Sequence, residues 1–258
     1  MLAIIGGTGL SDLNSFEQLS EEVLSTPYSD SPVRIYRFNC AEGEFLFLPR
    51  HGRGHKIPPH RINYRANIWA LSQLKTDNIV AVNAVGGISS NMGPSVFAVP
   101  DQIIDYSYGR QGTFFDEGME QVSHIDFTFP YNEKLRQLLL MAATKTSTEG
   151  PGFSKGEQRE KQQIVDGGVY GCTQGPRLET AAEVIRLQRD GCDMVGMTGM
   201  PEAALARELN IPYASLALSV NWAAGLAEQA ITMEDIEKVL DKGMGFISAV
   251  LVNLVAES

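Results

Sequence analysis

Residues 78–87 read NIVAVNAVGG, a run of small and β-branched apolar residues that ends in a glycine pair. This length and composition suit a strand buried on both faces, which is how strands of a parallel sheet read. Its ending carries as much information as its body. Asn83 and Ala84 fall where the run NIVAV stops, and Gly86 and Gly87 would let the backbone approach a ligand closely.

Working outward, similar runs recur as LAIIGG (2–7), EFLFLPR (44–50), QIIDYS (102–107), DMVGMTGM (193–200) and YASLALSVN (213–221). Helix-like segments lie between them: NYRANIWALSQL, NEKLRQLLLMAATK, LETAAEVIRLQRDG and PEAALARELN, with MEDIEKVLDKGMGFISAVLVNLV closing the chain. This alternation predicts an α/β domain with a largely buried sheet. A chain of 258 residues, 43% hydrophobic, suits one such domain across 1–258. Residues 146–163 are polar and poor in large apolar side chains, so they are expected to form a surface loop.

The formal charge of −10 argues against nucleic acid or an anionic membrane as partner, so any bound anion must be held by local groups. Cys40, Cys172 and Cys192 are scattered and lack metal-ligand spacing, which suits a reducing compartment. No segment is expected to be long and apolar enough to span a bilayer, and the apolar run at the N-terminus lacks a basic flank. A cytoplasmic protein is expected.

Ligands of α/β sheets gather just beyond strand ends. At residues 6–12, GGTGLSD departs from the dinucleotide fingerprint, with Asp12 where its last glycine belongs. Two readings stay open there: a tight turn, or backbone amides and the Thr8 hydroxyl converging on a small anion. LPRHGRGHK (48–56) packs Arg50, His51, Arg53, His55 and Lys56 into one stretch of an acidic protein, as a phosphate site or as a solvated basic loop. Its RHG triplet also fits phosphatases with a nucleophilic histidine, although there RHG follows the first strand. In CTQGPRLETAAE (172–183) a helix is expected to begin near Leu178, with Glu179 as a ligand group or a helix-dipole partner. GMTGMPEA places Thr198 at a strand end, and LSVNWAAG does the same for Asn221.

GGTGLSD, RHGRGH, NYRANIWAL, GPRLETAAE and GMTGMPEA, in this order, resemble the trimeric purine nucleoside phosphorylase family, closest to its methylthioadenosine and methylthioinosine phosphorylases. The resemblance runs from about Ile4 to about Leu251. It implies a single domain with a mixed central sheet flanked by helices, a homotrimer with a shared active site, and phosphorolysis without metal or organic cofactor. In that reaction inorganic phosphate attacks the ribosyl C1′ and the purine leaves. The residues resembling the family's phosphate ligands are Thr8, Arg50, His51, the Asn83–Ala84 backbone and Thr198.

For the nucleoside, Met197 resembles a ribose-packing methionine. His124, in VSHIDFTFPY, resembles a residue that reaches the 5′ pocket from a neighbouring subunit, the other reading being a buried structural histidine. Leu178 stands where relatives place a phenylalanine against the purine. Asn221-Trp222-Ala223 replaces a stretch that carries two aspartates in methylthioadenosine enzymes, while Glu179 resembles the glutamate of 6-oxopurine enzymes. Asn221 suits O6 and N7–H, and Glu179 suits the N1–H of hypoxanthine. Apolar Ile231 and Met233 suit a methylthio group. The expected reaction is phosphorolysis of methylthioinosine, then of methylthioadenosine or of inosine and guanosine. A histidine phosphatase, with His51 as nucleophile and His124 as partner, and a non-catalytic nucleoside- or phosphate-binding module are the readings from other classes.

Overall fold

A computed structural model of the chain describes residues 1–257 except 8, 9, 11, 12, 14, 117–122, 150–160 and 228–231. Among the described residues eleven strands form one mixed sheet. Its axis is β5 (Asn78–Gly87), the strand expected from NIVAVNAVGG. On one side β5 pairs in parallel with β1 (Leu2–Gly6), which leads through β4 (Gly43–Pro49) to the antiparallel pair β3 (Ser29–Cys40) and β2 (Glu17–Thr26). On the other side lies β11 (Tyr213–Trp222), parallel to β5, then β6 (Phe97–Val99) and β8 (Ile164–Asp166).

The sheet forks at β5. Pairing with β1 ends at Ile5↔Ala81. Beyond it, β10 (Met194–Gly196) joins the same edge antiparallel at Gly86 and Gly87, bringing β9 (Val169–Cys172) and β7 (Gln102–Asp105). The strand therefore does not stop at Asn83, as the apolar run suggested; it continues and changes neighbours. Between the two partners, Ala84 and Val85 face a crevice.

Alternating side chains of the central strands feed two cores. Ile4, Val80, Val82, Leu216 and Leu218 point to one face, under α2 (Glu133–Glu149) and α5 (Met233–Glu257). Ala3, Ile5, Ile79 and Ala81 point to the other, under α1 (Tyr64–Gln73) and α4 (Glu202–Glu208). A shorter helix, α3 (Ala181–Arg189), sets Val184 and Leu187 against Cys192 and Val195.

Two expectations need correction. Residues 146–149 are the last turn of α2, not loop; the Thr146 hydroxyl donates to the Ala142 carbonyl at 2.8 Å and Ser147 to Gln162 at 2.9 Å. Polar side chains that bond the backbone can sit buried in a helix, and composition alone hid this. Residues 150–160 lie outside the described part. Helix α5, 25 residues long, does reach the length and hydropathy of a membrane span. Its Leu240, Ile247, Leu251 and Leu254 pack into the sheet core, where each buried side chain contributes about 1.5–3 kcal/mol.

Candidate active site

The crevice opens into a cavity of about 460 Å³, a size suited to a small ligand. Its walls are strand ends: Gly7 after β1, Arg50 and His51 after β4, Ala84 in β5, Met197 and Thr198 after β10, and Asn221 in β11. Leu178 and Glu179, on the segment between β9 and α3, close one side together with Met233. Thr8 and Ile231 lie outside the described residues.

The fork shapes the anion side. Along β5 the Ile79 amide donates to Pro212, on the β11 side. Strand alternation then turns the Ala84 amide toward the crevice, beyond the last β1 pairing at Ile5↔Ala81. The Val82 carbonyl on that edge accepts from Arg50 Nη1 at 2.8 Å. Continuing the β10 register past Gly196 carries Thr198 back alongside Asn83, whose Nδ2 donates to Thr198 Oγ1 at 2.8 Å. Ser215 Oγ in turn donates to Asn83 Oδ1 at 2.8 Å. This relay occupies Thr198 Oγ1 as acceptor, so its own proton is free to donate into the cavity. The Asn83 side chain is thus buried behind Thr198; the cavity meets the neighbouring Ala84.

Arg50 is more committed than its place in a basic loop suggested. Its side chain is fully buried, with Nε and Nη2 donating to the Glu202 carboxylate at 3.0 and 2.8 Å. Nη2 also reaches the Ile5 carbonyl at 3.4 Å. With the bond to Val82, one Nη1 hydrogen remains for a ligand. Burial opposes the Arg50 charge, but Glu202 more than compensates and holds its pKa above the ordinary value. Glu202 also accepts from Tyr213 at 2.9 Å.

His51 Nδ1 lies 2.7 Å from the Ile57 carbonyl, which only accepts, so Nδ1 carries the hydrogen. Desolvation first, then the Arg50 charge, lowers the His51 pKa to about 4. The ring is neutral near pH 7 and presents Nε2 as an acceptor. His55 stacks on it with centroids 4.1 Å apart.

On the base side, α3 begins at Ala181 and not near Leu178. Thr180 caps it in a reciprocal box with Glu183, so the dipole role considered for Glu179 belongs to Glu183. Glu179 lies before the cap, and its Oε1 accepts from Thr173 Oγ1 at 2.6 Å. Asn221 follows a register shift in β11 between Ser219 and Asn221, a bulge of the kind that re-aims side chains beside active sites. Its Nδ2 donates to the Trp222 carbonyl at 2.6 Å, leaving Oδ1 and one hydrogen. Leu178, 48% exposed, gives the cavity an open apolar lip.

His124 is exposed and does not line this cavity, which removes the buried-histidine reading. Sequence reasoning also missed Arg110. Its Nη1 donates to the Met197 and Met200 carbonyls at 2.9 and 2.5 Å, and Nη2 to those of Thr173 and Gln174 at 3.2 and 2.9 Å. One cation thereby ties the two loops that carry Glu179 and Thr198. A lone arginine in YGRQGT gives no periodic or motif signal for this.

Strand-end donors, a carboxylate and a carboxamide line one cavity, a set of groups that can hold an anion beside a nitrogenous base. The family model described as the phosphorylase superfamily matches residues 1–256. The chain is 52% identical to a probable S-methyl-5′-thioinosine phosphorylase of Pseudomonas syringae pv. tomato, over 99% of this chain and 98% of that one. It is 42% identical to a 6-oxopurine nucleoside phosphorylase of Pyrococcus furiosus, over 93% and 86%. Among solved structures it resembles methylthioadenosine phosphorylase from Schistosoma mansoni in complex with adenine. The TM-score there is 0.88 at 30% identity, covering 99% and 90% of the two chains. The chain belongs to the phosphorylase superfamily, as an enzyme of the nucleoside phosphorylase type that transfers a pentosyl group.

Proposed function

We propose that the protein cleaves S-methyl-5′-thioinosine with inorganic phosphate, releasing hypoxanthine and 5-methylthioribose 1-phosphate. The observation that carries this reading is the joint placement of Glu179 and Asn221 with Ala84 and Thr198 on the walls of one cavity. Phosphate sits against the Ala84 amide, the Thr198 hydroxyl and the remaining Arg50 hydrogen, with Thr8 as a further donor. Neutral His51 accepts the proton of a phosphate O–H at Nε2. As the glycosidic bond stretches, positive charge on the ribosyl ring is stabilised by the phosphate, which then bonds to C1′. As charge arrives on the purine, the remaining Asn221 Nδ2 hydrogen donates to O6, N7 takes a proton from solvent, and Oδ1 accepts from the new N7–H. Phosphate is a co-substrate, and neither metal nor organic cofactor enters the reaction.

Glu179 accepts the N1–H of a 6-oxopurine. Adenine would set a lone pair against that carboxylate, a loss of about 1–3 kcal/mol. Met197 packs the ribose, Leu178 the base, and Met233 with Ile231 the methylthio group. His124 would enter a neighbouring subunit's 5′ pocket in a homotrimer, which its exposed position supports. Three free thiols suit a cytoplasmic setting. A phosphatase reading with His51 as nucleophile would take His124 as its partner, and His124 is not in the cavity.

The test is purine release from methylthioinosine, methylthioadenosine, inosine and adenosine, each with and without phosphate. Phosphate-dependent hypoxanthine release, fastest from methylthioinosine, is the expected outcome. Faster adenine release overturns the Glu179 and Asn221 roles, and preference for inosine overturns the apolar 5′ pocket.

A further inference from the structure

We infer that Thr173 sets the purine preference by latching the Glu179 carboxylate to the base side of its wall; this rests on Glu179 meeting the base as proposed above. Thr173 is the first residue beyond β9, and its amide donates to the Gly196 carbonyl at 2.8 Å. Arg110 holds its carbonyl. The residue is therefore fixed to both loops before its side chain acts.

The hydroxyl has a single proton and two acceptors in reach, Glu179 Oε1 at 2.6 Å and the Gly196 carbonyl at 3.3 Å. Neither a carboxylate nor a carbonyl donates, so the proton goes to the nearer and charged partner. Glu179 needs that hold because it borders two spaces. One is the substrate cavity; the other is a smaller cavity of about 180 Å³, also lined by Arg177 and Arg186. Arg177 there forks onto Glu183 at 2.8 and 2.7 Å and Arg186 stands 3.7 Å from Asp190, and their positive charge still draws an unlatched carboxylate that way. Released, Glu179 turns outward and the N1–H acceptor is lost, while Asn221 and the phosphate cradle stay intact. Thr173 is thus a positioning residue, acting on the substrate through Glu179.

Thr173→Val removes the hydroxyl at nearly constant shape, and Thr173→Ser keeps it. Kinetics with methylthioinosine and methylthioadenosine, with denaturation midpoints alongside, form the test. In T173V, kcat/KM for methylthioinosine is expected to fall roughly 10- to 100-fold, the scale of a hydrogen bond to a charged group. Methylthioadenosine turnover should change far less, and Thr173→Ser should restore the preference. A uniform loss on both substrates, unrescued by serine, marks a merely structural role and overturns the inference. Glu179→Gln separates the two levels. A shifted preference in E179Q with none in T173V overturns the latch alone; no shift in either overturns the base-recognition reading and the latch with it.

Discussion

Replacing Arg50 by alanine would leave the Glu202 carboxylate buried with, among the described residues, only Tyr213 to bond it. Breaking one partner of a buried pair costs about 3–5 kcal/mol. Urea unfolding of Arg50→Ala should show a loss of that size, and adding Glu202→Leu should recover part of it. Additive losses would mean that the pair is not coupled. The sequence placed Arg50 at the anion site through its motif, but its counter-ion lies 152 residues away and is invisible to local pattern. A glutamate opening a helix after proline reads as a dipole partner, so nothing marked Glu202.

His51 makes the complementary statement about protons. A histidine whose folded pKa is lowered contributes stability that is present above the unfolded value and lost as pH falls through the folded one. From 6.5 unfolded to about 4 folded, His51 contributes about 3 kcal/mol that disappears across that interval. Without phosphate, His51→Gln should flatten the stability curve between pH 6.5 and 4. An unchanged curve would place the proton elsewhere.

Among elements, legibility followed burial. The strands read from apolar runs all form, because both faces of β1, β5 and β11 enter the cores. The pair β2 and β3 escaped the reading: EQLSEEVLST is mostly exposed, with charges where a core strand has valines. The short strands β6 and β8 give too few residues for a periodicity. Nor could a pattern reveal that one edge of β5 serves two neighbours in turn, since that is a property of pairing. The joint between the loops is likewise tertiary. Arg110→Met removes the donors that bind both, and kcat should drop at least tenfold on every purine substrate, while a uniform effect distinguishes it from the selective one expected at Thr173. Unchanged kcat would show that each loop holds itself.

At the scale of the whole molecule, the described residues proposed for the site line one cavity, save Asn83, buried behind Thr198, and His124, which is exposed and away from it. A trimer should sediment at three times the 28.2 kDa chain. His124→Ala should raise KM for methylthionucleosides several-fold and leave phosphate saturation unchanged. Monomeric, fully active protein would remove the shared site. The net charge of −10 has its own role, because the cradle must attract phosphate against the field of the whole chain.

The fork of β5 has an evolutionary reach. On the reading proposed above it builds the anion half of the site partly from main-chain groups, which point substitutions barely touch and which a one-residue insertion in β5 would displace together. The base half hangs on loops and side chains: Leu178, Glu179, Asn221 and the threonine behind Glu179. On that reading substrate choice can drift within a lineage by single substitutions among the base-facing side chains, while the main-chain groups go on holding the attacking anion. Homologous enzymes with different purine tastes are the expected descendants of such a division.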